Sequence, residues 1–226
     1  EGPYHRAMIL SGVLEGVLND SVGSGRDRVQ ALMQELGVQT AQQLETVPYH
    51  QLAQAYRNVS PALKAKGANV GQSPHPNRFY LGDPLHNGSG FRPETADIPV
   101  LIGTVYSEFY GFFDGLKGVG PEEAVGLSAA ETLREQFRTA YPHRPEEDLL
   151  LADTSFRAPT IKYVRERAKA GGKVYSYLFD QDFPLMGKST PWHCADIPIG
   201  VHNTELVPVC AFEGAKQLET EIFGAV

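Results

Sequence analysis

The chain has 226 residues, of which 42% are hydrophobic and 21% charged, and its 20 basic and 27 acidic side chains leave a formal net charge of −7. This composition is typical of a globular protein with a hydrophobic core, and it excludes a disordered, collagen-like or coiled-coil chain. The acidic balance, without a block of lysine and arginine, argues against binding to nucleic acid or to an anionic membrane. No apolar run approaches the ~18 residues of a membrane span, so we expect a soluble protein whose cellular compartment stays open.

Three short apolar runs indicate buried strands. They are residues 6–12 (RAMILSG), 98–103 (IPVLIG) and 173–179 (KVYSYLF). Runs without regular polar alternation suit strands that are covered on both faces, as in a parallel sheet. Long segments with helical periodicity separate them, so the sequence predicts an α/β fold with a mostly parallel sheet and flanking helices.

Helical periodicity is clearest in four segments. In the first, Val29, Leu32, Met33 and Leu36 recur at i, i+3, i+4 and i+7, and a glycine follows where a helix would end. The second opens with a capping-box pattern ahead of Leu133, Phe137 and Tyr141. The third, with Ile161, Val164 and Ala168, runs into a pair of glycines directly before the third strand, and the fourth carries Leu218 and Ile222.

Residues 57–97 differ from the rest of the chain, because five prolines and several glycines interrupt any period. They are predicted to form a long surface excursion. At the ends, the first strand begins within a few residues of Glu1, and the last helix reaches Val226 without a stop signal. We therefore expect the chain to be part of a longer protein.

Two residues of complementary chemistry follow the second and third strands. Glu108 comes shortly after the second strand, and His193 lies in the segment beyond the third. Reacting groups in open α/β sheets lie at the carboxyl ends of strands. A hydroxyl is a poor nucleophile until an imidazole takes its proton, and a carboxylate orients that imidazole and stabilises its charged form. The pair therefore fits two members of a Ser-His-acid triad, in the chain order that α/β-hydrolases use.

Three windows resemble the C-terminal half of the type B carboxylesterase/lipase family, which includes the bacterial para-nitrobenzyl esterases and the cholinesterases. Residues 4–12 (YHRAMILSG) resemble the strand after the nucleophile elbow, and residues 97–108 (DIPVLIGTVYSE) resemble the acid-bearing segment. Residues 192–198 (WHCADIP) resemble the segment with the catalytic histidine. The helices and the proline-rich excursion also fall where the family has them, so the resemblance covers nearly the whole chain.

The resemblance implies that residues 1–226 are the C-terminal portion of one α/β-hydrolase domain of a serine esterase, with Glu108 as the acid and His193 as the general base. It also implies that the nucleophilic serine and the oxyanion loop precede Glu1, since the chain contains no Gly-x-Ser-x-Gly motif. The full-length protein is then expected to hydrolyse small-molecule carboxylic esters through an acyl-enzyme, with no metal or other cofactor. The isolated chain is expected to be inactive.

The sequence departs from the family pattern around both residues. Val105, Ser107 and Phe109 replace the usual Asn, Asp and Gly around the acid, and Val201 and His202 stand where an aromatic residue and a glycine are usual. These changes spare the triad positions and leave the substrate preference open. The alternative function is a non-catalytic, cholinesterase-like binding module, of which the loss of the acid or the histidine would be the mark.

Other reactive residues are predicted to have structural roles. Cys194 is expected to be a buried small hydrophobe rather than a nucleophile, because sequence neighbours seldom face each other across a site. The remaining histidines share no metal-ligand spacing. Asn58 and Asn87 match glycosylation acceptors, which matter only in a secretory setting. The aromatic residues after the acid fit either an apolar acyl pocket or a core face; they are Phe109, Tyr110, Phe112 and Phe113.

The first strand is the predicted contact with a partner. In the family's sheet it pairs with the strand that leads to the serine, and that strand precedes this chain. An unpaired, buried strand edge is unstable in water. We therefore expect the chain to associate with its missing N-terminal half or to self-associate through residues 6–11.

Overall fold

A computed structural model describes residues 4–13, 25–68, 78, 82–85, 90–109, 127–185 and 188–225. The chain divides into two compact units, one formed by Glu1–Glu15 with Phe91–Val226 and the other by Gly16–Gly90. The helices of the described residues, in chain order, are α1 Gly25–Leu36, α2 Ala41–Leu44, α3 Tyr49–Ala65, α4 Leu127–Ala140, α5 Arg157–Lys169, α6 Ile197–Gly200 and α7 Ala215–Ala225. Short 3₁₀ segments lie at Pro93–Thr95, Glu146–Leu151, Thr204–Leu206 and Pro208–Cys210.

The first unit is built on a parallel sheet of three strands, β1 Ala7–Leu10, β2 Val100–Val105 and β3 Val174–Phe179. They lie in the order β1-β2-β3, with Ile9 opposite Ile102 and Gly103 opposite Tyr177. The prediction of an α/β fold with a parallel sheet is confirmed. Because all three strands run in one direction, their carboxyl ends lie along the same edge of the sheet.

The two faces of β2 explain why its sequence is apolar without alternation. Val105 packs on one side into a cluster with Phe179 and Ile199, and the next residue, Tyr106, packs into a second cluster with Phe137. Successive side chains of a strand point to opposite faces. Since both faces are buried, the strand carries apolar residues at consecutive positions.

Gly103 is required where β2 and β3 pass each other. A Cβ at this position would lie 2.4 Å from the ring of Tyr177. The absent side chain allows the tyrosine to lie flat against β2, and its hydroxyl reaches beyond the sheet to the segment that follows His193. A substitution of this glycine would displace the ring.

In the second unit, α1 ends where its sequence predicts. Gly37 follows the helix with a φ of 66°, a conformation that favours glycine. The Asn58 side chain, one of the two candidate glycosylation acceptors, lies on α3 and donates a hydrogen bond to Glu35 of α1 over 2.7 Å. The other acceptor, Asn87, lies outside the described residues.

The predicted excursion over residues 57–97 is wrong at its first end, where the structure has a helix. Helix α3 continues to Ala65 with Pro61 inside it, because a proline removes only one backbone donor and the neighbouring turns hold the helix. At the other end, Arg167 donates hydrogen bonds to the carbonyls of Thr95 and Ile98, over 2.7 and 3.0 Å. That end therefore belongs to the sheet unit, whereas most of residues 69–89 lie outside the described part of the chain.

None of the helices in the described part of the chain has the length and hydrophobicity of a membrane span.

Candidate active site

The acid-bearing turn follows β2 and continues its pairing with the neighbouring segments. The N–H of Tyr106 donates to the Phe179 carbonyl over 2.9 Å, and the N–H of Ser107 donates to the Pro191 carbonyl over 3.1 Å. Glu108 then adopts a φ of 43°, which is uncommon for a residue other than glycine and is found where the surroundings enforce it. The turn directs the carboxylate back under the end of the sheet, where it is fully buried.

Glu108 and His193 are brought together from positions 85 residues apart. The Nδ1 atom of His193 lies 2.5 Å from Oε2 of Glu108. The N–H of His193 also donates to the Glu108 carbonyl over 2.9 Å, so backbone and side chain fix the same pair. Since a carboxylate only accepts hydrogen bonds, this contact places the ring proton on Nδ1 and leaves the lone pair on Nε2. An imidazole held in this way can take a proton from a hydroxyl.

The second oxygen of Glu108 has two donors of its own. Ser11 donates its hydroxyl to Oε1 over 2.5 Å, and the N–H of Val105 donates to the same atom over 3.0 Å. Ser11 directly follows β1, is buried, and has a φ of 47°. Its role was missed in the sequence, although it lies within the window 4–12. The applicable signal is a hydroxyl at the carboxyl end of a strand, the same signal that identified Glu108.

Asp196 places a second buried carboxyl close to the pair. Its Oδ2 accepts a hydrogen bond from the Tyr177 hydroxyl over 2.6 Å, while its buried Oδ1 has no hydrogen-bond partner among the described residues. Burial raises the pKa of Asp196, although the Tyr177 hydrogen bond acts in the opposite direction. Burial and the carboxyl of Asp196 together raise the pKa of Tyr177 well above its usual range. This pair fixes the residues after His193 to β3.

Two phenylalanine rings contact the imidazole. The ring centroid of Phe109 lies 4.5 Å from that of His193, and the centroid of Phe156 lies 5.2 Å from it. Phe156 is buried, whereas Phe109 is 45% exposed. The His193 side chain itself keeps 27% of its surface exposed in this chain.

Comparison with solved structures shows which proteins share this arrangement of strands and turns. An esterase from the anaerobic Clostridium hathewayi, described as able to hydrolyse aliphatic aromatic polyesters, is 43% identical over 98% of this chain, with a TM-score of 0.81. A thermophilic PNB esterase and a PNB esterase are each 20% identical, with TM-scores of 0.55 and 0.56 over 97% and 100% of this chain, and support the fold alone. This chain spans 46–48% of the length of these three esterases. No protein-family model matches the chain, and no curated protein sequence matches it.

The chain is similar to an esterase over nearly its whole length, which is consistent with a C-terminal fragment of a type B carboxylesterase. The resemblance noted in its sequence windows is thereby confirmed, and so is the α/β-hydrolase fold. The structure brings the two predicted site residues of this chain together, and their catalytic roles stay predictions. Of the four aromatic residues after the acid, only Phe109 lies within the described residues.

The prediction that Cys194 is buried is wrong. Cys194 is exposed rather than buried, because the backbone at this residue has a φ of 72° and the buried positions fall on Ala195 and Asp196. Its thiol is no candidate nucleophile, since desolvation and the nearby carboxyls of Asp196 and Glu108 raise its pKa.

Two of the other histidines each lie near one carboxylate. The Nε2 atom of His143 lies 3.0 Å from Asp180 at the surface, and Nδ1 of His202 lies 3.8 Å from Glu219. The described residues contain no group of three or more His, Cys, Asp or Glu side chains that could hold a metal ion. His202 has a φ of 59°, which gives a physical reason for the glycine that is usual at this position.

Proposed function

We propose that this chain supplies the general base, His193, and the orienting acid, Glu108, of a serine carboxylesterase. The observation that carries the proposal is the 2.5 Å contact between Nδ1 of His193 and the buried carboxylate. The other oxygen of that carboxylate is held by Ser11 and by a backbone N–H. A fully partnered carboxylate on Nδ1 is the arrangement that an imidazole needs to act as a base through Nε2.

The proposed reaction has two halves that use the same histidine. Nε2 of His193 takes the proton of a serine hydroxyl as its oxygen bonds to the ester carbonyl carbon, and the imidazolium then gives that proton to the departing alkoxide as the C–O bond breaks. In the second half, His193 takes a proton from water as the water oxygen bonds to the acyl carbon. The imidazolium gives that proton to the serine oxygen as the acyl–serine bond breaks, which releases the carboxylic acid and regenerates the serine. Glu108 stabilises the imidazolium in both halves.

The nucleophile and the oxyanion donors are proposed to lie outside residues 1–226, in the N-terminal portion of the same α/β-hydrolase domain. The chain has no Gly-x-Ser-x-Gly motif. The hydroxyl of Ser11 donates a hydrogen bond to Glu108, so this serine is placed to orient the acid rather than to attack an ester. The coverage of less than half of the Clostridium hathewayi esterase agrees with this division.

The test compares the isolated chain with the longer protein that carries it, using p-nitrophenyl butyrate and a fluorophosphonate probe for activated serines. We expect the longer protein to hydrolyse the ester and to be labelled at a serine outside residues 1–226, and the isolated chain to do neither. His193→Ala in the longer protein should abolish turnover. Unchanged turnover in that variant would contradict the proposal, and an upstream elbow without its serine would favour the binding module.

The substrate range is a further part of the proposal. The Clostridium hathewayi esterase, described as acting on aliphatic aromatic polyesters, is 43% identical to this chain, so polyester oligomers belong among the test substrates beside small esters. Release of monomers from such oligomers, lost in His193→Ala, is the expected result.

The free edge of β1 is the proposed contact with the N-terminal portion or with a second copy. Within the described residues β1 pairs only with β2. The N–H of Ala7 donates to Pro99, directly before β2, and the N–H of Ser11 donates to Gly103 of β2. Because successive N–H groups of a strand point to opposite edges, those of Met8 and Leu10 face the free edge. A strand edge of this kind recruits another strand.

Met8→Pro tests this contact, because it removes a free-edge donor and leaves the β1–β2 hydrogen bonds in place. We expect the isolated chain to self-associate in sedimentation experiments and Met8→Pro to weaken that association. Met8→Ala is the matched control, since it loses the same side chain but keeps the N–H. Equal association of both variants would exclude strand pairing as its cause.

A further inference from the structure

Phe109 combines exposure with a fixed position beside the proposed base. It directly follows Glu108, and its ring lies 4.5 Å from the imidazole of His193 between centroids, at an interplanar angle of 33°. Nearly half of its surface, 45%, is exposed. A single exposed aromatic residue is ordinary on a protein surface, so exposure alone assigns it no role.

The support behind Phe109 shows that its ring is held in place. The buried ring of Phe156 lies 5.9 Å from Phe109 and 5.2 Å from His193, so the three rings form one cluster. Phe156 is in turn fixed by Asp153, whose carboxylate accepts the N–H of Phe156 over 2.9 Å. Fixed aromatic rings lose little conformational entropy when a ligand stacks on them.

The Phe109 ring also lies close to the imidazole that would take part in the reaction. A serine that gives its proton to Nε2 has its oxygen about 3 Å from that nitrogen, and the ester carbonyl that it attacks lies about 3 Å from the serine oxygen. The Phe109 ring is only 4.5 Å from the imidazole centroid. A ring on the ester can therefore reach the Phe109 ring.

We propose that Phe109 is a stacking surface for an aromatic ring of the ester substrate and sets a preference for aryl esters over saturated esters of the same size. The inference rests on the proposed function and adds a substrate class to it. Offset or tilted ring pairs form at centroid distances of about 4.5–7 Å, which the exposed surface of Phe109 can offer to a ring bound over His193.

The experiment compares matched substrates in the longer protein that carries the chain. Ethyl benzoate and ethyl cyclohexanecarboxylate differ in the acyl ring, and benzyl acetate and cyclohexylmethyl acetate differ in the alcohol ring. The ratio of kcat/KM for aryl over saturated ester is measured in the wild type and in Phe109→Leu, which stays apolar but has no aromatic ring. Comparing ratios between variants cancels the intrinsic reactivity of each ester.

Phe109→Leu should lower the aryl-to-saturated ratio about 2- to 12-fold in at least one substrate pair, the range that corresponds to 0.5–1.5 kcal/mol for an aromatic pair. Tyr49→Leu, at a residue that is 84% exposed in the other unit, is the control and should leave both ratios unchanged. Equal losses on aryl and saturated esters, or no change in either ratio, would overturn the stacking role. If His193→Ala keeps full turnover, the proposed function fails instead, so the two failures are distinguishable.

Discussion

Two buried carboxyl groups lie beside His193, and they differ in how many donors they have. Both oxygens of Glu108 are occupied, one by Ser11 and the N–H of Val105 and the other by the imidazole. Asp196 has only the Tyr177 hydroxyl on one oxygen and no partner for the other among the described residues. A buried negative charge is stable only where its lone pairs are satisfied. The number of donors, rather than distance along the chain, therefore distinguishes Glu108, the proposed orienting acid, from Asp196.

Removing the charge of Glu108 should have the largest effect. Glu108→Gln keeps the shape of the side chain but no longer enforces the ring proton on Nδ1, so we expect kcat of the longer protein to fall by about 10,000-fold, as in other triads. Hydrolysis of p-nitrophenyl butyrate measures it. Glu94→Gln, on an exposed 3₁₀ segment, is the matched control. A loss of less than about tenfold, or an equal loss in Asp196→Asn, would reverse the ranking of the two carboxyls.

Removing one donor from Glu108 should have the next largest effect. Ser11→Ala deletes a hydrogen bond to a charged group, which contributes about 1.5–3 kcal/mol, so kcat should fall roughly ten- to a hundredfold with little change in KM. Ser107→Ala is the control, because its hydroxyl bonds to Thr190 over 2.6 Å and not to the acid. Equal kcat in the two variants would mean that Ser11 contributes packing only.

On the Asp196 side, the effect should fall on stability rather than on activity. Tyr177→Phe removes the hydrogen bond to Asp196 and leaves a buried carboxyl without its side-chain donor, at a cost of about 1–3 kcal/mol in the free energy of unfolding. Urea denaturation measures this change. Tyr175→Phe is the control, since this tyrosine lies on the same strand and is exposed. If the two midpoints coincide, the Tyr177 hydroxyl stabilises nothing.

The sequence allows prediction of the parallel sheet and of the meeting of Glu108 with His193 because both depend on simple rules. Apolar runs mark the strands, and parallel strands present their following residues at one edge. Ser11 obeys the same rule, since it directly follows β1. What the rule does not contain is the φ of 47° and the pairing that turn its hydroxyl toward the acid.

The features that could not be predicted depend on contacts between distant segments or on backbone angles. Pro61 favours a helix end by local propensity, yet α3 passes through it. Cys194 is of a residue type that is usually buried, and a φ of 72° exposes it. The Tyr177 bond to Asp196 requires Gly103 on the neighbouring strand. None of these depends on a short stretch of sequence.

The smallest expected effect is a pH dependence that separates Asp196 from a third carboxyl, Glu219. Burial raises the pKa of Asp196, so its contribution to stability is fully present below its unfolded value of about 3.9 and is lost as pH rises through the folded pKa. The hydrogen bonds from Lys216 and from the backbone of Thr204 lower the pKa of Glu219 to about 2. That contribution is present above about 4.3 and is lost as pH falls through 2.

The two carboxyls therefore give opposite slopes, and variants separate them. In urea denaturation between pH 4 and pH 7, Asp196→Asn should gain stability relative to the wild type as pH rises, because Asn keeps an acceptor for Tyr177 and does not ionise. Glu219→Gln should show its relative loss at every pH in that range and recover toward the wild type only in stronger acid. If the difference in unfolding free energy between the wild type and Asp196→Asn stays constant with pH, burial does not penalise the charged form of Asp196. The contrast between the two carboxyls beside His193 would then no longer hold.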